Sequence, residues 1–296
     1  MTLEKLEDCA KKLEASDDYR VLRRLNIGSH FQPRKGGETF RAIYLDLETT
    51  GLNPDLHEII EIGMVPFTYG PNGQIHSIEE PFSKLKEPSE PISEEITRIT
   101  NITNEMVQSK TIDPKEVFDF VKQAGLIIAH NAAFDRVFME KFAPAFADKP
   151  WACSMSQIPW KEEGFDGKRL SHIAAGLGFF YDAHRAVEDC HAGIEVLSRP
   201  LPVSKELAMS KLLKAARQDA KRIWAVDAPY DFKDILKGRG YRWNDGNDGR
   251  HKAWYLDVTA DQFADEQAFL KKEIYQTEIN LPVTNISAKD RFSGRA

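Results

Sequence analysis

Asp46 and Glu48 stand one residue apart at the end of the run Arg41 to Leu47, which is rich in Ile, Tyr and Leu. Such a run predicts a strand, and alternate side chains of a strand share a face. Both carboxylates then point the same way, about 7 Å apart along the chain. Two carboxylates on one face of a buried strand repel and are costly unless something positive joins them. A divalent cation with oxygen ligands is the usual answer. Thr49-Thr50-Gly51 turns the chain directly afterwards and exposes backbone N–H groups. A second stretch, His130-Asn131-Ala132-Ala133-Phe134-Asp135, follows the short apolar run Leu126 to Ala129. Asp135 falls in the first turn of a helix whose apolar side is Phe134, Phe138 and Phe142. A third is His184-Arg185-Ala186-Val187-Glu188-Asp189. Five residues on one helix is about 140° of rotation. His184 and Asp189 can therefore meet only if His184 lies just before the helix and Asp189 within it.

Each stretch alone also suits a structural role: Asp135 favours a helix N-terminus, and a histidine such as His130 is a common hydrogen-bonding residue. Taken together, Asp46, Glu48, Asp135 and Asp189 supply four carboxylates, and His184 a group that titrates near neutrality. That set fits a two-metal phosphoryl site, with His184 as the base that takes a proton from water.

The elements that must position these groups follow from periodicity. The chain has 296 residues, 42% hydrophobic and 29% charged, which excludes collagen, coiled coil and wholesale disorder. No apolar run approaches the roughly 18 residues of a membrane span. The first residues lack the basic-then-apolar order of a signal peptide. Cys9, Cys153 and Cys190 fit no disulfide framework or zinc pattern, so a cytoplasmic location is expected. Residues 1–38 predict a helical segment, Leu3 to Ala15, a short helix Arg20 to Leu25 and a linker, Gly28 to Gly37. Residues 39–200 predict an α/β domain, with strands Arg41–Leu47, Ile59–Phe67, Gln74–Phe82 and Leu126–Ala129, and helices after residue 92. The stripe Val187, Cys190, Ile194 and Leu197 marks the last helix. Ser204 to Ala220 predicts a helix bridging 201–220. Residues 221–296 predict a small α+β unit of order β-α-β-β-α-β, its last strand Thr277 to Leu281.

All three site stretches, in this order, resemble the DEDDh (DnaQ-like) 3′-5′ exonuclease family, which includes the proofreading epsilon subunits of bacterial DNA polymerase III. Glu58-Ile59-Ile60-Glu61-Ile62-Gly63 and Ile99-Thr100-Asn101-Ile102-Thr103 are also similar to that family. The resemblance implies an RNase H-like five-stranded mixed sheet flanked by helices. It implies two Mg²⁺ or Mn²⁺ ions held by Asp46, Glu48, Asp135 and Asp189, with Asp46 touching both. It implies His184 as general base, and Thr49, Gly51 and Leu52 beside the terminal nucleotide, with Asn131 supporting the site. The expected activity is stepwise release of nucleoside monophosphates from DNA 3′ ends. An exoribonuclease remains open, because discrimination rests on contacts to the 2′-hydroxyl. A non-catalytic binding module remains a rival, although no motif carboxylate is missing.

Net charge is −6, unevenly spread. Residues 41–200 carry 15 Lys+Arg against 25 Asp+Glu, and residues 201–296 carry 17 against 14. An acidic body still binds phosphates if metal covers its carboxylates. Tyr241, Arg242, Trp243, Lys252 and Trp254 fall on a predicted hairpin, where aromatics and cations could hold single-stranded nucleic acid or simply fill a small core. Gln267 to Leu270 faintly resembles a sliding-clamp peptide but lies inside a predicted helix. Polymerase association is therefore not indicated.

Overall fold

The computed structural model describes residues 3–27, 31 and 36–295. Most of the expected linker, Gly28 to Lys35 apart from Phe31, lies outside the described residues. The chain divides into two compact units, with the boundary between Leu213 and Lys214.

The first unit begins with α1 (Leu3–Glu14) and the two-residue strand β1 (Arg23–Arg24). Arg20 to Leu25 is thus extended rather than helical: its backbone finds partners on another strand, which local periodicity does not reveal. Then come β2 (Phe40–Thr49), β3 (Ile59–Tyr69), β4 (Ile75–Ile78) and β5 (Phe82–Leu85). Helices α2 (Glu94–Thr100), α3 (Asn104–Val107) and α4 (Pro114–Val121) lead to β6 (Leu126–Ala129) and α5 (Ala132–Phe142). The unit continues through β7 (Trp151–Cys153), α6 (Leu170–Gly176), β8 (Phe179–Phe180) and α7 (Ala186–Ser198).

β2 is the centre of a mixed sheet. It runs antiparallel to β3 and parallel to β6, and β6 runs parallel to β7. The strand expected over Gln74–Phe82 is two strands, β4 and β5, both paired with β3. The ladder lapses where Pro66 of β3 meets the Glu79-Glu80-Pro81 stretch, and neither proline has an N–H to donate. The sheet therefore has six strands in five positions. Ala42, Ile43 and Leu45 are wholly buried, as are Ile60, Ile62 and Val65. Complete burial of each of the Ile, Leu and Val side chains contributes about 1.5–3 kcal/mol, so β2 and β3 are well anchored to carry a site.

Helix α7 lies directly on β2 and β3 because two glycines let it. A Cβ on Gly63 of β3 would stand 2.5 Å from the backbone of Ala186, and one on Gly193 of α7 would stand 2.1 Å from the Tyr44 ring. This contact buries Cys190, Ile194 and Leu197, as their spacing predicts, and leaves Val187 half-buried.

Helix α8 (Ala208–Arg217) is shorter than the predicted Ser204–Ala220, and the unit boundary falls inside it. The second unit holds β9 (Ala220–Ala225), α9 (Lys233–Gly238), β10 (Arg242–Asn244), β11 (Ala253–Thr259), α10 (Ala260–Phe269) and β12 (Val283–Ile286). Its antiparallel sheet has the order β10-β11-β9-β12, a split β-α-β arrangement. The last strand is not Thr277–Leu281. Leu281 packs into the core of this unit, and the ladder starts only after Pro282.

Tyr44 is buried and hydrogen-bonded to Ser154 at 2.7 Å, so its ring cannot retreat cheaply from an added methyl group. Gly193→Ala should therefore cost about 1–3 kcal/mol through overpacking, read as a lower midpoint in urea unfolding.

Candidate active site

Asp46 and Glu48 project from the same face of β2, as alternation requires. Asp189 enters from the first turn of α7, above them. Asp46, Glu48 and Asp189 each offer a carboxylate oxygen, and these atoms lie within 4.8 Å of one another. Among the described residues this is the one group of three or more acidic, His or Cys side chains so arranged. Asp135 is 2% exposed in the first turn of α5. It stands outside that closest group, yet near enough for its charge to be felt at Asp46 and Glu48.

Crowding and burial act on all four. Burial, then the charges of Asp189, Asp135, Glu48 and Glu61, pushes the Asp46 carboxyl well above the usual range. Burial first, then Asp189 and Glu61, pushes Glu48 up to about 8, with Arg185 opposing. Asp135 is raised by burial, while its own N–H and that of Leu47 favour its ionised form. Burial also raises Asp189, against the hydrogen bonds it accepts. A set of oxygens that resists ionisation without a counter-charge is the donor chemistry of a hard divalent cation.

His184 lies before α7, as its spacing from Asp189 demands. Its side chain is exposed and its φ is 67°, in the left-handed region. Its backbone N–H donates to Asp189 Oδ2 at 2.8 Å, and the Tyr181 hydroxyl donates to Asp189 Oδ1 at 2.8 Å. The residue-181 hydroxyl is in turn held protonated by burial and by the neighbouring Asp189 charge.

Glu61 had no role in the sequence reading beyond its place in a family-like stretch. It faces Glu48 directly across the β2–β3 ladder and is 1% exposed. Its carboxylate accepts from the Arg185 guanidinium at 2.9 Å and from the Ala186 N–H at 3.1 Å. It thus closes the N-terminus of α7 from a neighbouring strand. Its place in the family-like stretch was the only sequence signal for it; Tyr181 gave none.

Thr49 is buried and its hydroxyl donates to the Gly51 carbonyl at 2.7 Å. Gly51 lies against the His57 ring, 2.4 Å from where a Cβ would sit. Leu52 is 83% exposed, an apolar side chain that the turn holds out beside the carboxylates' strand. Asn131 is the exposed left-handed residue that starts α5. Thr49, Gly51 and Leu52 are thus gathered at the end of β2, while Asn131 follows the end of β6.

The five hairpin residues are not brought together. Tyr241 is 3% exposed, and its hydroxyl donates to Glu266 at 2.9 Å, so it belongs to the core. Alternation along β10 sends Arg242 to one face and Trp243 to the other, where Trp243 meets Trp254 edge-on at 5.6 Å. Trp254 packs against the core of the unit. Only Arg242, Trp243 and Lys252 are exposed.

His130 is half-buried and held by hydrogen bonds at both ring nitrogens. Its Nε2 donates to the Lys168 carbonyl at 2.6 Å, so Nδ1 accepts from the Ser154 hydroxyl at 2.9 Å.

A family model described as Exonuclease matches residues 43–197, just over half of the chain, and the chain belongs to that family. DNA polymerase III PolC-type of Thermotoga petrophila is 32% identical over 209 residues, which is 67% of this chain and 14% of that protein. DNA polymerase III subunit epsilon of Treponema pallidum is 30% identical over 162 residues, which is 52% of this chain and 73% of that protein. The chain thus spans a small part of the PolC-type relatives. Among solved structures, exonuclease X in complex with 5′ overhanging duplex DNA is 23% identical, with a TM-score of 0.40 over 57% of this chain and 99% of that one. No helix among the described residues is long and apolar enough to cross a membrane.

Burial lowers the His130 pKa to about 4, against the ordinary 6.5 that it recovers on unfolding. The neutral ring thus stabilises the fold above pH 6.5, and that stability is lost as pH falls through 4. The shift corresponds to roughly 3 kcal/mol. His130→Gln should flatten the fall in melting temperature between pH 6.5 and 4.

Proposed function

We propose that the protein is a metal-dependent 3′-5′ exonuclease that releases nucleoside 5′-monophosphates from DNA 3′ ends. The observation that carries this is the cluster of Asp46, Glu48 and Asp189 oxygens beside the exposed His184. Two Mg²⁺ or Mn²⁺ ions would be held by Asp46, Glu48, Asp135 and Asp189. When bound, such ions lower the pKa of water and offset the charge that builds on a phosphate. Hydrolysis adds a water hydroxyl to phosphorus and breaks its bond to the 3′ oxygen of the preceding nucleotide, which takes a proton from solvent to become a hydroxyl. His184 takes the water's proton. Its exposed position lets it pass that proton to solvent between cycles. Leu52 would pack on the terminal base, and backbone amides near Thr49 and Gly51 would meet its sugar and phosphate. Asn131 would support the site from the start of α5.

DNA is favoured because the relatives named above are DNA polymerase III proteins. The decisive experiment incubates the protein and Mg²⁺ with end-labelled DNA and RNA oligomers. A ladder shortening from the 3′ end, faster on DNA, is expected. Shortening of RNA alone would make it an exoribonuclease, and no ladder on either would leave a binding module.

Asp46→Ala should abolish nearly all activity while the protein stays folded, because β2 keeps its apolar contacts. His184→Ala should lower the rate by roughly 10²–10⁴, the scale of a positioned base, and leave Mn²⁺ binding intact by calorimetry. Retention of full rate in either folded variant sinks the assignment of that residue.

Arg242 and Lys252 would add contacts to the strand outside the catalytic unit. Arg242→Ala with Lys252→Ala should weaken binding of long single strands and make it less salt-dependent, since fewer phosphate contacts release fewer counterions. Filter binding across a salt series reads both.

A further inference from the structure

The catalytic histidine sits on a short strap, residues 181–185, between β8 and α7. The inner side of this strap is anchored to the site by Tyr181 and the His184 N–H on Asp189, and by Arg185 on Glu61. Its outer approach depends on β8, a strand of only two residues. Among the described residues β8 has one strand neighbour, β1, which lies outside the segment matched by the Exonuclease family.

β1 runs parallel to β8, with Arg23 opposite Phe179 and Arg24 opposite Phe180. The Arg23 N–H donates to the Gly178 carbonyl at 3.1 Å, and the Leu25 N–H to the Phe180 carbonyl at 2.8 Å. The Arg20 guanidinium donates to the Ala175 carbonyl at 2.5 Å, at the end of α6. Arg24 lies 5.1 Å over the Phe180 ring and 2.7 Å from the Asp182 carboxylate, on the strap itself. The arm is braced from behind. Arg23 bonds Glu7 at 2.7 Å and Glu14 at 2.5 Å, both on α1.

A strap with these attachments needs both sides held. His184 is a non-glycine residue at φ 67°, a conformation that persists only where the surroundings enforce it. A two-residue strand cannot enforce anything without a partner. We propose that residues 20–25 are a clasp: by pairing with β8 and reaching Asp182, they hold the 181–185 strap, and with it His184, in position over the carboxylates. Arg24 and Leu25 are then positioning residues for the reaction. The inference rests on His184 being the base.

The test uses full-length protein. Leu25→Pro removes the N–H that Phe180 accepts, and Arg24→Glu turns the contact with Asp182 into repulsion. The double variant should lose about tenfold in kcat on saturating DNA oligomers, because a misplaced group loses rate steeply. KM should stay within about twofold and the melting temperature nearly unchanged, because only exposed or edge contacts are removed. Hydrogen exchange should quicken at the amides of residues 179–185 and not across the sheet. Arg24→Glu alone should cost about threefold, and adding Asp182→Arg should restore most of it, since an exposed ion pair is worth little more than that. This pair of variants decides the matter should the double variant fold poorly. An unchanged kcat with unchanged exchange overturns the clasp. So does exchange that quickens over the whole unit with a matching loss of melting temperature, which would make the arm a general stabiliser. If the wild type degrades no oligomer, the exonuclease reading fails. The exchange at 179–185 then still decides whether the arm holds the strap.

Discussion

Everything around the site depends on keeping like charges together. Asp46, Glu48, Asp135 and Asp189 converge from three elements, with Glu61 directly behind Glu48. Each carboxylate is driven toward its neutral form by burial, and at Asp46, Glu48 and Asp135 the charge of Asp189 adds to it. Such a cluster opposes folding, so the scaffold must supply the difference. It does so through a central strand whose apolar residues are wholly buried and through a helix seated on it at Gly63 and Gly193. Local hydrogen bonds take up the rest: the Leu47 N–H toward Asp135, the Tyr181 hydroxyl toward Asp189, and Arg185 toward Glu61.

The two sides of the site differ in rigidity for a physical reason. Asp46 and Glu48 ride on β2, which pairs with β3 along its length and with β6 at Ala42, Ile43 and Tyr44. His184 rides on an exposed strap whose backbone is strained and whose flanking strand is two residues long. Groups that must hold cations gain from a fixed geometry. A base that must give its proton back to solvent gains from exposure. The division of floor and tethered strap suits the roles proposed for the carboxylates and for His184, and on that proposal whatever pins the strap bears on rate.

The second unit shows how a small sheet constrains surface chemistry. Its helix-side face and its other face alternate along each strand, so neighbouring residues of the hairpin cannot act together. Trp224 and Ile286, on the face away from the helix-side core, are 2% and 1% exposed. Trp243 is 50% exposed and Arg242 extends toward Asp257 at 3.8 Å. The five hairpin residues therefore do not share one face, although Arg242 lies over the Tyr255 ring at 5.2 Å.

The sequence by itself determined the strand that carries Asp46 and Glu48, the helices that carry Asp135 and Asp189, and the need for His184 to precede its helix. These follow from periods of two and 3.6 residues within one segment, and from the spacing of charged groups inside apolar runs. Only the tertiary structure decided that Arg23 and Arg24 would be a strand, because their backbone partners are Phe179 and Phe180 of β8, far along the chain. The same is true of Glu61, whose value lies in Arg185 and Ala186, 124 and 125 residues on. For Tyr241 the sequence left both core and surface open, because local pattern does not say which face of a hairpin its neighbours will cover; burial and a hydrogen bond to Glu266 across the unit put it in the core. The break between β4 and β5 needed Pro66 opposite the Pro81 stretch, a pairing that no segment contains alone. Periodicity is local and chemistry at the site is not: the carboxylates were legible because each sits in a recognisable segment, and the contacts that hold them were not, because each contact belongs to two.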